Sequence, residues 1–189
     1  MPEIEERVEH DESGRITRRY HLLGEQLEGE CIAYNAEGWV AQRSNFAGGL
    51  LDGELTQYDE AGEMAAAMSF RAGKLDGESR FFDRGRLQMR AQYRNGVLDG
   101  ETIVYGERGK PSSTSRYRGG LLDGEVIAYG DHGKPSSATS YRAGKLHGLS
   151  SWFRPDGTLL RTAKFVDGNP DGEPVDYDER GRAKSPAGK

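Results

Sequence analysis

Acidic side chains recur in pairs along this chain: Asp52 with Glu54, Asp76 with Glu78, Asp99 with Glu101, Asp123 with Glu125 and Asp171 with Glu173. Two carboxylates on one edge of a sheet can carry out acid–base chemistry or bind a hard cation. The number of copies argues against both, because a catalytic pair is needed once, whereas a turn signature is needed in every unit of a repeat. Arg71, Arg94, Arg118 and Arg142 recur at the preceding turn and are placed to pair with these acids. A structural role is expected for the acids, with an acidic stripe that docks a basic partner, represented by Asp99 and Asp123, as the functional alternative.

Departures from the repeat and exposed interface-type residues supply the other candidates. His147 replaces the acid in the sixth unit and Leu149 its glutamate, next to Trp152 and Phe153. Counting strands with period two puts Trp39, Ala41, Arg43, Glu63, Arg80, Arg90, Arg116 and Trp152 on one mixed polar and aromatic face, and tryptophan and arginine are favoured interface anchors. The candidate partner-binding residues are therefore Trp39, Arg80, Arg116, His147, Trp152, Asp99 and Asp123. His10, His21 and His132 are scattered, without metal-site spacing, and Ser112-Ser113 and Ser136-Ser137 recur with no histidine at a fixed offset. There is no phosphate-cradling glycine motif ahead of a helix. Cys31, the one cysteine, is expected as a small buried side chain. The expectation is a protein without catalytic residues, metal or cofactor.

What positions these residues is a repeat. The glycine of an x-Gly-Glu element recurs at Gly29, Gly53, Gly77, Gly100, Gly124, Gly148 and Gly172, 24 residues apart except for one step of 23 between Gly77 and Gly100. The missing residue falls in a turn: Gly85 follows Phe82 sooner than Gly62 follows Tyr58 or Gly109 follows Tyr105. Each unit reads as two strands. Glu54–Tyr58 is followed by the turn Asp59-Glu60-Ala61-Gly62, and a second strand, with Met64, Ala66, Met68 and Phe70 on one face, ends at the turn Arg71-Ala72-Gly73-Lys74. Pro111 and Pro135 stand at the first residue of a strand, where the missing N–H is tolerated.

With no helical periodicity, this predicts an all-β fold: an elongated, twisted antiparallel meander of successive β-hairpins, about fourteen strands in about seven units. Tyr34, Tyr58, Phe82, Tyr105, Tyr129, Phe153 and Tyr177 form one aromatic row, and Phe46, Phe70, Tyr93, Tyr117, Tyr141 and Phe165 a second. Both rows are expected on one face, stacked along the ribbon with small residues between them. Residues 1–23 read as a degenerate N-terminal capping unit, 24–181 as the repeat array and 182–189 as a polar tail.

Composition agrees with a thin sheet: 34% of residues are hydrophobic and 27 are glycine, too little apolar and too much turn for one thick core. A net charge of -5 disfavours nucleic acid and suits a protein partner with a basic surface. No run approaches the ~18 apolar residues of a membrane span, and Met1-Pro2-Glu3-Ile4-Glu5-Glu6-Arg7 lacks the basic start and apolar run of a secretory signal. A cytoplasmic location is expected.

The recurring Leu-Asp-Gly-Glu-x-x-x-Tyr-x-x-x-Gly resembles the MORN repeat, in the bacterial variant of the YwqK-like antitoxin family, over residues 22–181. The resemblance implies an elongated sheet of hairpins and a non-enzymatic protein-binding module, a bacterial antitoxin or immunity protein that neutralises its cognate toxin by direct binding. It also implies an alternative, a structural scaffold or membrane-associated adaptor, which the net negative charge disfavours. No catalytic residues come with the family. Where the eukaryotic form carries Tyr-x-Gly near each unit start, this chain carries Asp-Gly-Glu.

Overall fold

Short β-prone runs separated by glycine turns leave their backbone groups one economical set of partners, the neighbouring strand of a hairpin. The computed structural model describes residues 3–184, and those residues are strands, turns and bends with no helix. The fold is all-β. The final residues of the tail expected from the sequence, 185–189, lie outside the described residues.

The chain divides into two units, Met1–Val97 and Leu98–Lys189. The first carries β1 (Ile4–His10), β2 (Ile16–Leu23), β3 (Gln26–Tyr34), β4 (Val40–Ala47), β5 (Leu50–Leu51), β6 (Gly53–Tyr58), β7 (Met64–Arg71), β8 (Lys74–Asp83) and β9 (Arg86–Arg94). Consecutive strands pair antiparallel, with β5 and β6 both registered against β4. The residues read as a degenerate cap supply β1 and β2, a full hairpin in register with β3.

The second unit repeats the pattern with β10 (Val97–Tyr105), β11 (Pro111–Arg118), β12 (Leu121–Leu122), β13 (Gly124–Tyr129), β14 (Pro135–Arg142), β15 (Lys145–Phe153), β16 (Leu159–Val166), β17 (Asn169–Pro170) and β18 (Val175–Asp176). Pro111 and Pro135 open their strands as expected. The two-residue strands β5, β12 and β17 are cut from the strand that follows by an irregularity at the Asp-Gly step, which raises the number of segments among the described residues to eighteen.

Two turn types alternate. In the first, the Asp59 amide donates to the Glu63 carbonyl at 2.8 Å and the Gly62 amide to the Asp59 carbonyl at 3.0 Å, with Gly62 at φ 78. Asp59 Oδ1 accepts the Ala61 and Glu63 amides at 3.0 and 2.8 Å, so the side chain locks the loop. Asp11, Asn35 and Asp178 hold their loops in the same way. The loop after Phe82 has only Arg84 (φ 49) and Gly85 (φ 69) between the paired Asp83 and Arg86, which accounts for the short step in the repeat. The second type is a two-residue turn of two left-handed residues, such as Ala72 (φ 46) and Gly73 (φ 78) between the paired Arg71 and Lys74.

The expectation of both aromatic rows on one face is corrected by the register. Gly53 lies opposite Phe70 and pairing is regular to Gln57 opposite Ala66, so Leu55, Ala66, Met68 and Phe70 share a face. Tyr58, an odd number of residues from Gly53, points with Glu54 and Thr56 to the other. The physical reason is a bulge: Tyr58 pairs with Met64, leaving Ala65 as an extra residue that inverts the alternation. Both faces consequently bury side chains, Leu55 at 6% exposure on one and Thr56 at 7% on the other. Small residues fill the centre of the strands, where Ser79 lies opposite Ala91, both at 0%. Cys31 is buried, as expected.

Candidate protein-binding site

The recurring acids hold turns. Asp52 Oδ2 accepts the amide of Ala72 at 3.0 Å, one repeat further on, while the adjacent Leu51 carbonyl accepts the amide of Gly73 at 2.7 Å. Asp76 holds Asn95, Asp99 holds Gly119 and Asp123 holds Ala143 in the same way, at 3.2, 3.0 and 3.2 Å. In each case the carboxylate satisfies the amide of a left-handed residue that has no strand partner for it. Arg71 and Arg118 reach Asp76 and Asp123 at 3.4 and 3.8 Å, the pairing expected from their spacing. Asp99 and Asp123 therefore have a structural role in these turns.

His147 takes over the same task. Its Nδ1 accepts the Asp167 amide at 3.4 Å and lies 3.3 Å from Asp167 Oδ1, so the departure from the repeat preserves the turn staple. Among the described residues, no group of three or more His, Cys, Asp or Glu is placed to hold a metal ion. None of their helices could cross a membrane, since they contain none, a statement that does not bear on β-barrels.

Arg80 lies on the Tyr58 face of the first unit, and Arg116 on the Tyr105 face of the second. Arg80 stands opposite Ala67 and Arg90 and sits 3.8 Å from both Glu54 and Glu78, with Arg90 3.7 Å from Glu78. Arg116 stands opposite Glu101 and its aliphatic stem covers Gly124, where an added Cβ would meet Arg116 Cβ at 3.1 Å. Trp39 is 68% exposed in the loop after β3, its amide held by Asn35 Oδ1 at 2.9 Å.

Within the second unit, Trp152 does not share the face of Arg116. Counting along β15 from Gly148, which lies opposite Phe165, places Trp152 on the Phe165 side, where it pairs with Arg161. The bulge described above recurs in each hairpin and is again the cause, because it breaks the period-two count between units.

Around Trp152 the second unit opens a cavity of about 560 Å³, lined by Trp152, Ala163, Phe165, Pro170 and Pro174 with Arg161 and Asp176 at its polar edge. Arg161 Nε and Nη2 donate to Asp176 Oδ1 and Oδ2 at 2.6 and 3.0 Å, a fork-to-fork pair. The hydrogen bonds from Arg161 hold the Asp176 carboxyl below the usual carboxylate range, and Asp176 raises the Arg161 guanidinium in turn. Of this constellation only Trp152 stands out in the sequence. The available signal was Pro170 and Pro174, which stand where the preceding unit has Leu146 and Ser150.

Among the described residues the groove offers apolar surface and one oriented ion pair at its edge. Fold and groove together define an all-β hairpin-repeat protein with a small, largely apolar recess. Comparison of the sequence with protein-family models gives no match, and comparison with curated proteins gives none either.

Proposed function

We propose that the chain is a non-enzymatic protein-binding module of the antitoxin or immunity kind, which acts in the bacterial cytoplasm by covering a toxin that presents a basic surface. The observation that carries this reading is the recess lined by Trp152, Phe165, Pro170 and Pro174, concave and apolar with an oriented Arg161–Asp176 pair at its edge. Rigid aromatic surface of this kind anchors protein partners at low entropic cost. The assignment to an antitoxin rests on the repeat resemblance, and the basic partner on the net charge of -5.

Co-expression with the toxin encoded beside this protein tests the proposal. Protection and a stable complex are expected, with both lost in Trp152→Ala and kept in Trp39→Ala. Absence of a complex, or protection untouched by Trp152→Ala, would refute the groove as the binding surface. Flotation with anionic liposomes would instead favour the membrane-adaptor role.

A further inference from the structure

Two loops of the second unit depart from the capping pattern. The loops that begin at Asp11, Asn35, Asp59 and Asp178 each place one side-chain oxygen on the amides two and four residues further on, at 2.8–3.2 Å. In two of them an arginine at the fourth position meets the second oxygen, Arg15 Nε donating to Asp11 Oδ2 at 3.2 Å and Arg182 Nε to Asp178 Oδ2 at 2.8 Å. The hydrogen bond from the Arg182 amide holds the Asp178 carboxyl below the usual carboxylate range, so this pair of amides favours an ionised carboxylate. The loops at Gly106 and Gly130 have the same backbone. The Gly106 amide donates to the Lys110 carbonyl and the Gly109 amide to the Gly106 carbonyl, both at 2.9 Å, and Gly130 and Gly133 repeat the pair at 2.8 Å. These two loops lack the first side chain, so they bring no carboxylate of their own to the amides of Arg108 and Lys110 or of His132 and Lys134.

The fold does not ask for glycine at either position. Neither residue takes a left-handed φ, and a Cβ added at Gly106 or Gly130 would meet nothing closer than 3.8 Å, an ordinary contact. What glycine does there is leave the two amides open to a carboxylate from outside. Lys110 stands where Arg15 and Arg182 stand and supplies the cation. Its stem runs towards the second glycine loop, with Cδ 3.9 Å from where a Cβ on Gly133 would be. Lys134 is spent on the Asp156 carbonyl at 2.6 Å, so the Gly106 loop is the stronger of the two. Glu107 and Asp131 do not oppose such a ligand, because Glu12, Glu60 and Glu179 hold the same position in loops that bind a carboxylate. Between the two loops lies a cavity of about 380 Å³ lined by Arg108, Lys110, Tyr129 and Asp131. Two strand spacings separate the loops, ~10 Å, a distance that two glutamates of one short segment span.

We propose that the Gly106 loop, with the Gly130 loop beside it, binds carboxylates of an acidic segment of a partner protein, which dock on the amides of Arg108 and Lys110 in the place that a loop's own aspartate takes elsewhere in the chain. The site shares no lining residue with the Trp152 recess, so it does not depend on the function proposed above.

The test titrates the full chain with acetylated, amidated Glu-Gly-Gly-Glu, with its Gln-Gly-Gly-Gln counterpart and with inorganic phosphate, following backbone amides by NMR. The glutamate peptide is expected to move the Arg108 and Lys110 amide protons downfield, with an affinity that falls with salt, and the glutamine peptide to leave them in place. Gly106→Asp and Gly106→Asn install the cap of the other loops and should each weaken binding roughly tenfold or more without lowering the melting temperature. The asparagine variant separates occupation of the amides from charge repulsion. Lys110→Gln should weaken binding roughly threefold or more, and Trp152→Ala should leave it unchanged. No shift at Arg108 and Lys110, an equal response to the two peptides, binding retained in either Gly106 variant, or phosphate preferred to the glutamate peptide would each overturn the proposal.

Discussion

Replacing Gly77 by alanine tests why the Asp-Gly step exists. Gly77 has φ 117, a region closed to L side chains, and a Cβ added there would meet Ser69 Cβ at 3.0 Å and Ser69 Oγ at 3.4 Å. The backbone strain costs ~1–3 kcal/mol, and relief of unfolded-chain entropy returns ~0.4–1 kcal/mol. Ser69 Cβ is bound to the backbone of β7 and cannot swing away, so overpacking adds a further ~1–3 kcal/mol. Gly96→Ala is the control: φ there is 87 and nothing lies within 4 Å of the added carbon, so only the strain remains. Urea unfolding followed by circular dichroism should show Gly77→Ala losing at least ~1 kcal/mol more than Gly96→Ala, with the excess recovered when Ser69→Gly is added. Equal losses in the two variants, or a coupling between positions 69 and 77 within ~0.5 kcal/mol of zero, would refute the close approach as the reason for glycine.

The turn staples and the loop caps make separate predictions. Asp123→Ala should cost ~0.5–2 kcal/mol, as removal of a helix N-cap does, and speed exchange of the Ala143 amide, whereas Asp123→Asn should retain most of both because its carbonyl still accepts. At the first loop, hydrogen bonds from the Ser13 hydroxyl and the Arg15 amide lower the Asp11 carboxyl to about 2. A depressed carboxylate stabilises the folded state above its ordinary titration near 3.8 and loses that contribution as pH falls towards about 2. Melting temperature should therefore decline over that window, less steeply in Asp11→Asn, and carboxyl-carbon NMR should place the Asp11 midpoint at its lower end.

Local chemistry was legible in the residues themselves. Asp59 and Gly62 are three apart because one caps the loop and the other takes its left-handed corner, and the missing residue after Phe82 is a loop reduced to Arg84-Gly85. Pro111 and Pro135 had to begin strands. The candidate site was less legible. Asp99, Asp123 and His147 each bind a turn about 20 residues away, a partner that is known only once neighbouring hairpins are stacked.

The amino-acid sequence alone determined the hairpin alternation, its period and the all-β class, since turn chemistry and strand alternation act over a few residues. Tertiary structure decided which face each ring and each tryptophan occupies. A single extra residue such as Ala65 inverts every side chain beyond it, and no pattern of residue types reveals where the strand will absorb that residue.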